Sequence, residues 1–142
     1  MKKILVLTLA AAIVFGLCAG CFGSADSGTP KPLGDADIYL YNEKGERSDE
    51  NSAGLLDKEL ATYRGVKTGD PSSILAEKYD LSEFIVRGTE IDESVATAEN
   101  IMGAAFKDVS GKVTVGDRRY SLSFTLQDEK IWMIFIYLYP ED

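Results

Sequence analysis

The clearest hydrophobic pattern lies near the C-terminus. From Arg118 to Leu126 the chain alternates, with Tyr120, Leu122, Phe124 and Leu126 on one side and Arg119, Ser121, Ser123 and Thr125 on the other. Alternation at period two marks a strand with one buried face. Ile131 to Tyr139 follows as an unbroken apolar and aromatic run. Lys112 to Val115 precedes the alternating segment across Gly116-Asp117, a two-residue hairpin signal, and Gln127 to Lys130 supplies a second turn. A three-stranded antiparallel meander is predicted.

Pairing Leu126 with Ile131 places Phe124 by Met133, Leu122 by Phe135 and Tyr120 by Tyr137, and this face is the expected core. Each large side chain fully buried there contributes roughly 1.5 to 3 kcal/mol. The other face then joins Thr125 to Trp132, Ser123 to Ile134, Ser121 to Ile136 and Arg119 to Leu138. Its polar and apolar columns fit two readings. Either the N-terminal strand or the Leu55 to Leu60 segment folds over Trp132, or the stripe is exposed and binds a partner. Apolar patches with polar rims mark interaction sites, and Trp and Arg dominate binding energy where they occur. The candidate partner-binding residues are Trp132, Ile134, Ile136, Leu138 and Arg119, and a second copy of the chain is one occupant they could serve.

Upstream, Asp37 to Tyr41 predicts a short strand closed by the turn composition of Asn42 to Gly45. Leu55, Leu56 and Leu60 share a helical spacing. Asp70-Pro71-Ser72-Ser73 reads as an N-cap carboxylate and a first-turn proline opening a helix from Ile74 to Asp80. Phe84 to Val86 is a strand candidate, and Val95, Ala98, Met102, Ala105 and Phe106 predict a helix over 93–106. The fold class expected is α+β: two short helices packed on one face of an antiparallel sheet that ends in the meander.

The N-terminal pattern is of another kind. Met1-Lys2-Lys3 is basic, Ile4 to Leu17 is 14 residues without a charge, and Ala19-Gly20-Cys21 follows. The run is shorter than the roughly 17 to 25 residues of a membrane-spanning helix, and its flanks are those of a cleaved export signal. A cysteine at the exit resembles the lipobox of bacterial lipoproteins. That resemblance implies a diacylglyceryl thioether on Cys21, cleavage before it, and loss of Cys18 with the signal. No disulfide is then available. Residues 1–20 are the expected signal peptide, 21–36 a flexible Gly, Ser and Pro-rich tether, and 37–142 a single domain. The location implied is the extracytoplasmic side of a cell membrane, reached through the lipid anchor; two acyl chains suffice for stable attachment where one does not.

Charge narrows the partners. The chain has 15 basic and 23 acidic residues, and losing Lys2 and Lys3 with the signal leaves 13 against 23, a net charge of −10. Such a surface repels nucleic acid and anionic headgroups. The chain contains no histidine, which removes the commonest general base and metal ligand. Phosphate-binding glycine loops, Ser-x-x-Lys pairs and nucleophile elbows are missing too. No catalytic residue, cofactor or metal is therefore expected.

Thr62-Tyr-Arg-Gly65-Val-Lys-Thr-Gly69-Asp70, followed by a helix ending at Tyr79-Asp80 and by Phe124 to Ile131, resembles a motif of small secreted bacterial proteins. Such domains are similar to the β-lactamase-inhibitor-protein-like fold, shared with the small lipoprotein of outer-membrane assembly complexes. The resemblance implies a binding module that works through its sheet face. The expected function is a lipid-anchored protein-interaction module at the bacterial envelope. The alternative is a small-molecule-binding lipoprotein with a pocket between sheet and helices.

Overall fold

A computed structural model describes residues 30–88, 93–101 and 106–141. The leader, Cys18, Cys21 and most of the expected tether lie outside them. In chain order the elements are β1 (Leu40–Tyr41), β2 (Ser52–Ala53), β3 (Ala61–Thr62), α1 (Ile74–Lys78), β4 (Phe84–Gly88), β5 (Ser94–Val95), α2 (Ala98–Ile101), β6 (Lys107–Val115), β7 (Arg118–Gln127) and β8 (Lys130–Leu138). Six strands form one antiparallel sheet in the order β2-β8-β7-β6-β4-β5, and β1 pairs with β3 separately. The class is mixed α+β and dominated by the sheet.

The meander forms where the alternation places it. Val115 pairs with Arg118 across Gly116-Asp117, and Gly116 has φ +65°. A glycine at the first central position suits a turn whose twist matches its strands. The second hairpin closes on Gln127 and Lys130, with Asp128 and Glu129 at φ 52° and 62°. Leu126 faces Ile131 as expected, but the register then shifts: Thr125 pairs with Met133, Phe124 with Ile134, Leu122 with Ile136 and Tyr120 with Leu138. A β-bulge at Trp132 adds one residue to β8 and reverses which side chains face inward. Ile134 and Ile136 enter the core, whereas Met133, Phe135 and Tyr137 turn outward. The run is apolar at every position, so periodicity could not reveal the extra residue.

The buried face of the sheet carries Leu122, Phe124 and Leu126, Ile131, Ile134 and Ile136, Val109, Phe84, Val86 and Ala53. Leu75 from α1 and Ile101 from α2 belong to the same buried cluster, as do Leu40, Leu60 and Val66. Tyr79, Phe84 and Phe124 meet with ring centroids 5.4 to 6.5 Å apart, within the range favourable for aromatic pairs. Leu33 of the N-terminal segment and the Phe84 ring close over Gly111. A Cβ there would lie 2.8 Å from Leu33 Cδ1 and 2.9 Å from Phe84 Cε1.

Several local expectations change. Asp35–Ile38 is a 3-10 turn against β6 and β7, so only Leu40 and Tyr41 of the expected strand pair. Packed structure begins before Asp37, because Arg64 binds the carbonyls of Lys31 and Pro32 at 2.6 and 2.7 Å. Leu55 to Leu60 is a pair of turns rather than a helix; Leu60 is buried and Leu56 is fully in solvent. Asp70 turns back instead of capping forward: its carboxylate accepts from Lys67 N–H at 2.9 Å. Ser94–Val95 is a strand, and α2 starts at a reciprocal cap. There Thr97 N–H donates to Asn100 Oδ1 at 2.7 Å and Asn100 N–H to Thr97 Oγ1 at 3.1 Å. Residues 102–105 of the expected second helix lie outside the described ones.

The Thr62 to Asp70 motif is the knot of the fold. Gly65 and Gly69, at φ +84° and +89°, let the chain reverse twice. Arg64 forks onto both oxygens of buried Asp37 at 3.0 and 2.9 Å, donates to the Lys78 carbonyl at 2.8 Å and covers the Tyr79 ring. The Tyr79 hydroxyl donates to Thr62 Oγ1 at 2.9 Å, and burial holds that phenol far above its ordinary pKa. Gly69, Asp70 and Ser72 then bond to Ile131 and Glu129, docking the motif on the β7–β8 turn.

Candidate functional site

The side chains left outside the core make one open face whose rows follow from the register. Arg87, Asp108, Thr125 and Met133 align across the sheet, and Val95, Ile85, Ser110, Ser123, Phe135 and Ser52 form the next row. Lys112, Ser121 and Tyr137 come third, with Thr114 and Arg119 beyond them. Read down the strands, β8 presents a column of large side chains, whereas β7 and β6 present serines and threonines interspersed with Asp108, Lys112 and Arg119, Ser121 among them being buried.

That column is ordered by its own rings. Phe135 and Tyr137 stack with centroids 6.3 Å apart, and Tyr137 meets Tyr139 edge-on at 5.0 Å. Phe135 is 37% exposed, Tyr137 42%, Met133 41% and Trp132, at the bulge, 46%. Lys112 Nζ lies 5.6 Å and Arg119 Cζ 5.9 Å from the Tyr139 ring centroid, so two cations end the column. At the other end of the face Asp108 is half-buried; burial raises its carboxyl pKa against the opposing pull of Arg87. Arg87 is bound in turn by exposed Glu93 at 2.7 Å.

Of the expected site residues, Trp132 is exposed, and Leu138 is exposed at the end of β8. Arg119 stands on the open face beside Tyr139. Ile134 and Ile136 are a correction. They are 0% and 5% exposed and pack with Phe124 and Leu122, because the bulge turned them inward. The exposed positions that sequence reasoning assigned to the core are Met133, Phe135 and Tyr137. Composition held one usable signal, since β-branched isoleucine packs well inside a sheet whereas tyrosine tolerates a wet edge. Neither the N-terminal strand nor the Leu55 to Leu60 segment buries Trp132.

Two open indentations of 460 and 330 Å³ lie at the end of the sheet, lined by Arg118, Tyr139, Pro140 and Glu141, with Tyr137 and Leu138 on one and Asp117 and Arg119 on the other. Arg118 and Glu141 approach to 3.6 Å there. Among the described residues no group of three acidic or cysteine side chains is placed to hold a metal. No helix among them is long and apolar enough to cross a membrane. No protein-family model, curated protein or solved structure matches the chain.

Proposed function

We propose that this chain is a lipid-anchored, extracytoplasmic interaction module that binds a protein partner through the open face of its sheet. The observation that carries this reading is the exposed Met133-Phe135-Tyr137 column, continued by Tyr139 and ended by Lys112 and Arg119. Large side chains cost solvation when left in water, and ordered aromatics beside cations are the groups that dominate protein interfaces. Tyr and Phe also lose little conformational entropy on contact, having two rotatable side-chain bonds. Anchoring rests on the leader and Cys21. Packing of both helices over the core face belongs to the same proposal, supported by Leu75, Tyr79 and Ile101 sharing the buried cluster. It would leave the opposite face open.

The test is a doubly substituted chain, Phe135→Ser with Tyr137→Ser, compared with wild type by chemical cross-linking in intact envelopes. Both residues are exposed, so folding should persist by circular dichroism while the cross-linked species disappear. An unchanged cross-linking pattern in the folded variant rejects the face as the binding surface.

A further inference from the structure

Both margins of the six-stranded sheet are closed along most of their length. β5 covers β4, and the Ala96 N–H reaches the Phe84 carbonyl. On the other margin Gly69, Asp70, β2 and Asn51 bond along β8 from Ile131 to Ile136. One stretch of β6 is left out. Its pairing with β4 stops at Gly111, opposite Phe84, whereas its pairing with β7 runs on to Val115. Lys112 to Val115 therefore has a neighbouring strand on one side alone.

The direction of its backbone groups follows from a bond two strands away. Ile136 N–H donates outward to Asn51, so Leu122 opposite it turns its own N–H and C=O to Gly111. Such directions alternate along an antiparallel strand. Val113 and Val115 thus bond to Tyr120 and Arg118, while Lys112 and Thr114 point their N–H and C=O away from β7. Among the described residues no hydrogen bond reaches these four groups. Lys112 and Thr114 are exposed, and Val113 and Val115 are half-buried against the core.

We infer that Lys112 to Val115 is a docking edge for an extended segment of a partner protein, which adds a strand beside β6 above the start of β4. An extended backbone supplies donors and acceptors at the spacing of a ladder, and strand addition is a general mode of peptide recognition. β2 and β5 each pair over two residues only, so an edge this short can seat a strand in this sheet. The segment's residue opposite Val113 lies on the core side and is apolar; its neighbours lie on the open side and are polar. This docking rests on the interaction-module reading and adds a second contact to it. Lys112 joins the two, because its Nζ also stands 5.6 Å from the Tyr139 ring at the end of the aromatic column.

A second copy of this chain fits badly. Two-fold symmetry makes the two β6 strands antiparallel. Setting Lys112 against Thr114 of the copy brings Val115 to Gly111, where Phe84 already stands. Sliding outward to clear Phe84 leaves Thr114 against Thr114 and the Gly116 turn against Lys112. A lysine on an edge also opposes self-pairing. A segment that ends or bends away at Lys112 meets no such obstacle.

Amide hydrogen exchange in the purified full-length chain tests the edge itself. Lys112 and Thr114 should exchange about tenfold faster than Val113 and Val115; equal or inverted protection would overturn the edge. Occupancy is read with a photo-cross-linking amino acid at Lys112, Val113 or Thr114, one at a time, in the native envelope. The expected result is one partner protein, with the captures from Lys112 and Thr114 two residues apart and that from Val113 between them. Wider spacing, a second copy of this chain, or no capture would each overturn the docked strand. In chains labelled at Lys112, Thr114→Pro removes an outward N–H without removing a bond to β7, as edge strands tolerate. Capture should then fall about tenfold, whereas Thr114→Ala, which keeps the N–H, should capture like wild type. Equal capture by these two variants would overturn backbone pairing. Capture from Lys112 that survives Phe135→Ser with Tyr137→Ser would keep the edge and reject the open face. Capture lost there but undiminished by Thr114→Pro would keep the face and reject the edge.

Discussion

At the scale of single residues, Arg64 does the most. Its guanidinium is 13% exposed and its partner Asp37 3%, so both charges have left water and depend on each other. Removing one member of a buried pair leaves the other uncompensated, typically at about 3 kcal/mol or more. Arg64→Ala should lower stability by about that amount in a urea titration, and also release Lys31 and Pro32 to faster amide exchange. Asp108 predicts the opposite sign. Its folded pKa is raised above 3.8 by burial. From 3.8 upward to that raised value the folded chain retains a proton that the unfolded chain has lost, so stability falls as pH rises through the window. Above it the ionised carboxylate is a standing cost. Asp108→Asn should therefore be more stable than wild type at neutral pH, and the difference should shrink on acidification. Denaturation midpoints of both chains at a series of pH values measure this directly.

At the scale of elements, the bulge in β8 decides which residues are available to a partner. It also makes a sharp prediction, because the regular register and the bulged one assign Ile134 and Phe135 to opposite faces. Ile134→Ala empties a fully buried site and should cost about 2 to 5 kcal/mol. Phe135→Ala, at a half-exposed site, should cost well under half as much. Equal or inverted losses in parallel thermal melts would mean the regular register holds. The edge of β8 is guarded on the same strand: Gly69 and Asp70 bond to Ile131 at its start, and Asn51 accepts the Ile136 N–H farther along. Short, partly covered edges of this kind discourage strand-to-strand aggregation.

At the scale of the molecule, the proposed role joins an anchor to that face. Cys21→Ala should abolish incorporation of a labelled fatty acid, whereas Cys18→Ala should leave it intact; labelling in both or neither would reject the assigned site. With that proposed anchor, the segment between it and the domain would be shorter than composition implies, because Arg64 already holds Lys31 and Pro32 and Leu33 approaches Gly111. Residues 30–36 have the glycine and prolines of a linker, with Leu33 their one large apolar side chain. A guanidinium 33 and 32 residues along the chain fixes Lys31 and Pro32, and no local pattern announces such a contact.

Amino-acid order alone determined the sheet-rich α+β class, the three-stranded meander, both of its turns and the α1 segment. Each is set by contacts between residues close in sequence: alternation along Tyr120 to Leu126, Gly116-Asp117 at a turn, Pro71 before a helix. It also marked Trp132 and Arg119 as candidates, leaving open whether Trp132 was covered, which the structure decided. Tertiary structure alone decided the facing of β8, the use of Asp70 as a backward clasp and the strand at Ser94–Val95. An unbroken apolar run satisfies either phase, so only packing of Ile134 and Ile136 against Phe124, Leu122 and Ala53 could choose between them. That choice fixed the candidate surface as Met133, Phe135 and Tyr137 rather than Ile134 and Ile136.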